Sequence, residues 1–308
     1  MNIVSDSHPG WSLFRILAVI VFFGWIVIGQ LAIGSLCGVL IYGDSFMIDL
    51  SDPQNHPEIK NAYLLTVGMS TLIGLIFLPW VYIKFYERKP VKLFFKNSKN
   101  WSILIVLIAC ASLGLAIAIA PVVEWNATTN FPVWMSGFAN WAKQLEETAT
   151  ILIKMITSEL TPISFAYIFF IVAIIPAIGE EIVFRGLIQT ELQRWLKNPH
   201  IGIWLASALF SAIHFQFYGF VPRMIIGAFL GYIFYWSGNL WTSMLAHFFN
   251  NGFALIAEYL FQLKIITLDV NDPTVRIPLT LVATGIIITT ISIVILKNKY
   301  LIAPNDNN

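Results

Sequence analysis

Long apolar stretches separated by short polar segments dominate the pattern of this chain. About 20 apolar residues are needed for a helix to cross a bilayer. By this rule the pattern predicts membrane helices over residues 14–42, 62–83, 101–123, 162–195, 201–217, 223–237, 240–263 and 278–296. The stretch 223–237 is short and leaves open a re-entrant segment. We therefore expect an all-α fold, a polytopic transmembrane bundle of about eight helices.

The longest segment between predicted membrane helices is amphipathic. It covers residues 124–160 and carries Trp125, Trp134 and Trp141, followed by apolar residues at helical spacing. Tryptophan is enriched at the boundary between membrane and water. We predict a helix that lies in the interface on the external side and acts as a lid or a brace.

Composition supports a membrane location. The chain is 57% hydrophobic and only 11% charged, whereas soluble domains average about 25% charged residues. The net charge of +1 gives no indication of a nucleic-acid partner, and we expect none. We expect a multi-pass integral membrane protein, located in the plasma (inner) membrane if the source is prokaryotic.

The distribution of charge predicts the orientation. The segment from Lys84 to Lys99 is strongly basic, whereas the preceding loop carries Asp44, Asp49, Asp52 and Glu58 against Lys60. Lysine and arginine are enriched in cytoplasmic loops. The basic segment is therefore predicted to be cytoplasmic. With eight spans both termini are also cytoplasmic, in agreement with Lys297 and Lys299 after the last helix.

Three polar clusters interrupt the apolar stretches. Ionisable side chains inside a membrane are costly, and they persist where they face one another or a water-filled cavity. Clusters on three helices can satisfy one another only by converging, and we expect them to surround one cavity that opens to the cytoplasm. The clusters are Glu180-Glu181 with Arg185, then His214, then His247 with Asn251.

The two adjacent glutamates are predicted to have different roles. Glu181 and Arg185 are four residues apart, so on a helix they share a face and can form an ion pair. Glu180 is rotated by about 100° from Glu181. This leaves Glu180 as the free carboxylate, which suits a general base. The alternative is that both glutamates only mark a solvated helix end.

The histidines occupy predicted helices. His214 falls thirteen residues into the apolar stretch 201–217, and His247 shares a helix face with Asn251. A histidine on an apolar face can also be a packing residue, so each cluster taken singly has a structural interpretation. Their conjunction favours acid–base chemistry.

The ordered motifs Glu-Glu-x-x-x-Arg, Phe-x-x-x-His and His-x-x-x-Asn on successive helices resemble the CPBP intramembrane endopeptidases. This family is also called the CAAX protease and bacteriocin-processing (Abi) family, and it includes the type II CAAX prenyl endopeptidases. The resemblance covers residues 160 to 260. It implies three parts: N-terminal membrane helices with the external amphipathic segment (1–160), a catalytic helical core (161–263), and a C-terminal membrane helix with its tail (264–308).

Residue roles follow from the resemblance by position. Glu180 is implied as the base that activates water, and His214 as the residue that holds or polarises this water. His247 and Asn251 are implied to line an oxyanion site. Glu181 and Arg185 are implied as a supporting pair or as a handle for the peptide.

The sequence leaves open whether a metal takes part in the reaction. We expect no cofactor, because the resemblance favours glutamate-dependent chemistry without metal. Glu180, His214 and His247 nevertheless have the ligand types of a two-histidine, one-carboxylate zinc shell. No His-Glu-x-x-His motif is present.

The predicted activity is hydrolysis of a peptide bond in a membrane-associated peptide or protein, with the lipid bilayer as the other partner. A proton-coupled transporter is an alternative, since such carriers also use buried Glu, His and Arg. A catalytically inactive scaffold of the same family is a further alternative. The substrate is not indicated by the sequence.

Overall fold

The chain folds as an all-helical bundle. The computed structural model describes residues 24, 28–29, 32–86, 94–95, 100–158, 160–269, 272 and 274–300. Within these ranges the ordered elements are helices joined by turns, with no strand. The predicted fold class is confirmed.

The helices follow one another along the chain. Their bounds are α1 Ala32–Tyr42, α2 Phe46–Leu50, α3 Pro57–Phe85, α4 Trp101–Ala118, α5 Ala120–Ala127, α6 Ser136–Thr157, α7 Pro162–Leu196, α8 Pro199–Ala212, α9 Phe220–Ser237, α10 Leu240–Gln262 and α11 Leu279–Ile295. Helices α3 and α7 each contain wider π-helical turns, which in α7 cover Phe170–Ile174 and Ile182–Gln189.

Five helices in the described part of the chain are long and apolar enough to cross a membrane. They are α3, α4, α7, α9 extended to Phe217, and α11 extended to Asn298. Helix α8 has 14 residues, and α10 has 23 residues but carries His247, Asn250, Asn251 and Glu258. The predicted helix 14–42 and the basic segment 84–99 lie mostly outside the described residues. The protein is thus a multi-pass membrane protein, and the number eight stays a prediction.

The predicted helix 101–123 is interrupted. Helix α4 ends at Ala118, and α5 begins at Ala120 with Pro121 in its first turn. Proline lacks a backbone N–H and its ring clashes with the preceding turn of a helix. The continuous helix was therefore a wrong prediction at its C-terminal end.

The predicted helix 201–217 also ends early. Helix α8 stops at Ala212, and the next residues form tight turns in which the amide of Phe215 donates to the Ala212 carbonyl over 3.1 Å. Phe215 has φ of 55°, which a helix cannot contain. His214 therefore lies in a turn after the helix, and its predicted place inside a helix is wrong.

One end of the bundle is held together by α5, α6 and the turn 213–219. We call it the α6 end. Asn126 of α5 donates to the Phe217 carbonyl over 3.2 Å and accepts from the Val221 amide over 2.8 Å. Gln262, at the end of α10, donates to the Thr157 carbonyl over 2.6 Å and to Glu258 over 2.6 Å. The predicted amphipathic helix is present as α6, with Trp134 before it 83% exposed.

Helices α4 and α11 approach each other closely through two glycines. A methyl group on Gly285 would lie 2.7 Å from the Gly114 carbonyl oxygen and 2.9 Å from the Ala118 nitrogen. Small residues are enriched where membrane helices pack backbone to backbone, because they allow dispersion contacts along the whole helix. These two glycines therefore set the distance between α4 and α11.

A side chain at this contact should destabilise the fold. We expect Gly285→Ala to lower the free energy of unfolding by about 1–3 kcal/mol, because backbone atoms of α4 cannot move aside as a flexible side chain would. The measurement is unfolding of the purified protein in detergent. Gly137→Ala is the matched control, since nothing lies within 4 Å of the added methyl group. Equal stability of the two variants would contradict the close contact.

Candidate active site

An ion pair inside α7 anchors the site. The Nε atom of Arg185 lies 3.2 Å from Oε2 of Glu181, and both side chains are fully buried. The approach lacks the alignment of a hydrogen bond, so the attraction is mainly electrostatic. The predicted pairing of these two residues is present in the structure.

Arg185 is held by two further groups. Its Nη2 atom donates to the Gly227 carbonyl of α9 over 2.9 Å, and its guanidinium lies 5.0 Å above the Phe210 ring of α8. Its exposed fraction is 0%. A handle for the peptide needs exposed surface, so in this structure Arg185 links α7, α8 and α9 instead.

His247 lies between the two glutamates. Its Nδ1 is 2.9 Å from Oε1 of Glu181, and its Nε2 is 3.8 Å from Oε2 of Glu180. A carboxylate only accepts hydrogen bonds, so Nδ1 carries the proton that bonds Glu181. The first distance is a hydrogen bond and the second is too long for one. The imidazole is therefore fixed by Glu181, and its other nitrogen faces Glu180.

The two carboxylates differ in accessibility. The Glu180 side chain is 16% exposed, whereas that of Glu181 is fully buried. The difference follows from helix geometry, because successive residues are rotated by about 100° around the axis. Glu180 is thus the carboxylate that a substrate or a water molecule can reach.

His214 joins the site through Phe210. The His214 and His247 rings lie 5.1 and 5.8 Å from the Phe210 ring, both edge to face. Nδ1 of His214 is 2.7 Å from the Phe210 carbonyl oxygen, which only accepts, so Nδ1 is the donor. In the neutral ring Nε2 is then a free acceptor, which suits a residue that binds water.

Asn251 lies one helical turn beyond His247. Its Nδ2 donates to the Val172 carbonyl over 3.4 Å, and its Oδ1 accepts from Asn250 over 3.2 Å. The structure therefore brings Glu180, Glu181, Arg185 and His247 into direct contact. His214 joins them through the Phe210 ring. Asn251 lies on the same face of α10 as His247, but its side chain bonds Val172 of α7.

The contacts of two residues in the site were not predicted from the sequence. Phe210 was seen only as a motif residue, yet its ring contacts both histidines and Arg185. Ser243 is fully buried and lies beside Glu181. The signal for Ser243 was available, since Ser243, His247 and Asn251 are spaced by four residues and share one face of α10.

Arg223 was missed altogether. It lies in the first turn of α9, and its charge acts on Glu180 and on His214. Its Nη1 and Nη2 atoms donate to the carbonyl and side-chain oxygens of Gln216 over 3.3 and 2.9 Å. A single cation at the edge of an apolar stretch carries no motif, so only the tertiary structure identifies it.

The Arg223 network extends to α6. Gln216 donates to Oε1 of Glu146 over 3.4 Å. Burial raises the pKa of the Glu146 carboxyl, while the nearby charge of Arg223 and hydrogen bonds from the 216–218 turn act in the opposite direction. The amphipathic helix is thereby tied to the turn that carries His214.

Whether zinc binds to Glu180, His214 and His247 stays a prediction. Among the residues that the structure describes, no group of three or more His, Cys, Asp or Glu side chains is placed to hold a metal ion. Nδ1 of His214 and Nδ1 of His247 each donate to another acceptor, which leaves Nε2 of both rings for a further partner.

Comparison with known proteins agrees with the motifs. Residues 162–253 match the family model described as Rce1-like, type II CAAX prenyl endopeptidase Rce1-like. The Bacillus subtilis (strain 168) protein YpbD, described as uncharacterized, is 38% identical over 89 residues. That match covers 28% of this chain and 42% of YpbD, so the chain spans less than half of this relative. No solved structure matches significantly.

The matched segment contains all three motifs and every residue of the candidate site described above except Glu146. The resemblance to the CPBP family, predicted from these motifs, is therefore confirmed for residues 162–253.

Proposed function

We propose that this protein is an intramembrane endopeptidase in which Glu180 is the general base. The observation that carries the proposal is the position of His247 between a buried glutamate and an accessible one. Glu181 fixes the ring, and Nε2 faces Glu180 at 3.8 Å. A water molecule bound to Glu180 then lies beside Nε2 of His247, which is placed to donate to the oxygen of an attacked carbonyl group. The match to an endopeptidase family supports this class of activity.

In the proposed reaction Glu180 removes a proton from this water as its oxygen attacks the carbonyl carbon of the scissile bond. The carbon–oxygen double bond becomes an oxyanion. When the tetrahedral intermediate collapses, the carbon–nitrogen bond breaks and Glu180 returns the proton to the leaving amine. One water is consumed and two peptide ends form.

Donors are needed where the oxyanion develops. We propose His247 in its doubly protonated form, with Nδ1–H on Glu181 and Nε2–H towards the substrate. The cluster then contains two carboxylates, Glu180 and Glu181, and two cations, Arg185 and His247. This balance limits the free-energy cost of burying charge. Asn251 is proposed as a second donor. For this its amide must exchange the long 3.4 Å bond to Val172 for the substrate.

His214 is proposed to hold the attacking water through Nε2. Glu181 and Arg185 are proposed as supporting residues that fix His247 and the packing of α7, since neither is exposed. The substrate is proposed to be a peptide bond in a membrane-associated peptide or protein.

The two glutamates should respond differently to amide substitution. We expect Glu180→Gln to lower kcat/KM for peptide cleavage by at least about 10²-fold, because the amide cannot accept the proton. The free energy of unfolding should hardly change. We expect Glu181→Gln to lower both activity and stability, the latter by up to about 3–5 kcal/mol, because Arg185 loses its counter-charge. Cleavage of a quenched peptide library and unfolding in detergent measure the two effects.

Glu147→Gln is the matched control for both variants, since Glu147 is an exposed residue of α6 whose partner is Lys143. Full activity of Glu181→Gln together with a mild effect of Glu180→Gln would reverse the assignment of roles.

Removal of metal tests the proposal of metal-free chemistry. We expect cleavage to survive extended dialysis against strong chelators, and elemental analysis to find no stoichiometric zinc. A zinc site would lose activity on chelation and regain it with added Zn²⁺. Recovery by zinc after complete loss would require a mechanism different from the one proposed.

A further inference from the structure

The turn that carries His214 contains a strained residue. Phe215 has φ of 55°, in the left-handed region that is unfavourable for a residue other than glycine. Such a conformation persists only where the surrounding structure holds it. The Phe215 side chain is 46% exposed, so packing of its own ring supplies only part of this hold. The backbone next to His214 therefore depends on contacts from outside the turn.

Arg223 supplies such contacts at Gln216, the residue after Phe215. Its Nη1 and Nη2 atoms donate to the backbone carbonyl and side-chain oxygens of Gln216 over 3.3 and 2.9 Å. The guanidinium also lies against Gly219, where an added methyl group would be 3.2 Å from Nη2. The planar guanidinium presents several donors in a fixed geometry. One side chain from the first turn of α9 thus spans the turn from Gln216 to Gly219.

Gln216 is held from a second side by α6. Its side-chain amide donates to Oε1 of Glu146 over 3.4 Å, and the charges of Glu146 and Arg223 attract each other. The carboxylate offsets part of the cost of placing the Arg223 charge in a partly buried position. Arg223 is therefore kept at the turn by a counter-charge on a different helix from the one that carries Glu181 and Arg185.

The other side of the same turn fixes the His214 ring. Nδ1 of His214 donates to the Phe210 carbonyl over 2.7 Å, and the His214 amide donates to the Ser211 carbonyl over 3.3 Å. Because the imidazole is rigid, the direction of its Nε2 atom depends on the backbone between Phe210 and Gln216. A displacement of Gln216 would therefore be passed on to Nε2.

Arg223 lies near the reacting groups without bonding them. Among the described residues, its hydrogen bonds go to Gln216, while its charge acts through space on Glu180 and on His214. A direct chemical role for Arg223 is thus not indicated by its contacts, whereas a role in holding the turn is.

We infer that Arg223 is a positioning residue, which holds the turn 213–219 in the shape that directs Nε2 of His214 for binding the attacking water. The inference rests on the proposed function for the part of His214 in the reaction, and on the hydrogen bonds of Gln216 for the part of Arg223. A misplacement of about 1 Å can lower a rate by about 10²-fold. Arg223 can therefore control the rate through His214.

A double-mutant cycle on peptide cleavage tests this role. We expect Arg223→Gln to lower kcat by about 10- to 10²-fold with little change in KM, because glutamine cannot span both oxygens of Gln216. If Arg223 acts through His214, adding Arg223→Gln to His214→Ala should cause no further loss. Arg223→Lys should retain part of the activity, since its ammonium group can donate to one of the two oxygens. The measurement uses full-length protein in detergent and one peptide chosen from the quenched library.

Arg276→Gln is the matched control, because Arg276 also bonds a glutamate, Glu124, but is 85% exposed. It should keep the kcat of the unchanged protein. Losses that multiply in the double variant would overturn the inference, as would an Arg223→Gln with unchanged kcat. If Arg223→Gln does not fold, the same cycle is measured with Gln216→Met, which removes the side-chain oxygen bonded by Nη2 and keeps the Arg223 charge.

The protonation of the His214 ring provides a test that does not need activity. In protein that contains ¹⁵N-labelled histidine, two-bond nitrogen–hydrogen correlations show which ring nitrogen carries the proton. The His214 signal is the one lost in His214→Gln. We expect the form protonated at Nδ1 in the unchanged protein and in Arg276→Gln, and a mixture of both forms in Arg223→Gln.

An identical His214 signal in Arg223→Gln and in the unchanged protein would overturn the inference. If the signals change as expected but the unchanged protein cleaves no peptide, the proposed function fails and the part of Arg223 in holding the turn stands. The two failures are thereby distinguishable.

Discussion

The need to balance buried charge determines how the core of this protein is arranged. Glu181 and Arg185 are both fully buried, and an isolated charge in such a place costs several kcal/mol or more. The pair offsets part of this cost, and His247 and the Gly227 carbonyl add one hydrogen bond each, to Glu181 and to Arg185. These partners come from α10 and α9. Any shift of either helix against α7 would break one of these hydrogen bonds to a buried charge, so the charge cluster fixes the relative positions of three helices.

Glycines in α9 make this arrangement possible. Arg185 and Gln189 are four residues apart, and they donate to the carbonyls of Gly227 and Gly231, which have the same spacing. A methyl group on Gly231 would lie 2.7 Å from the Gln189 side-chain oxygen. Because glycine has no side chain, the polar side chains of α7 can reach the backbone carbonyls of α9. Polar pairing between helices therefore replaces part of the hydrophobic packing, which provides little net attraction within lipid.

Features that depend on residues close together in the sequence could be predicted, whereas contacts between helices could not. The apolar stretches predicted most of the helices, and the four-residue spacing of Glu181 and Arg185 predicted their ion pair. The end of α8 was missed because nothing between Ala212 and Gln216 resembles a helix stop, and Phe215 takes a conformation that glycine or asparagine usually adopts. Arg223 and the hydrogen bond between His247 and Glu181 depend on which helices are neighbours, information that periodicity does not contain.

The adjacent glutamates show how one helix can both stabilise a fold and keep a carboxylate accessible. A fully paired carboxylate is a poor base, because its charge is already compensated, and an unpaired one is costly to bury. Two consecutive glutamates avoid the conflict because the rotation between them directs one inward and leaves the other partly exposed. Glu181 then bears the structural role, and the 16% exposure of Glu180 keeps it in reach of water. His247 lies between the two, with Nδ1 2.9 Å from Glu181 and Nε2 3.8 Å from Glu180.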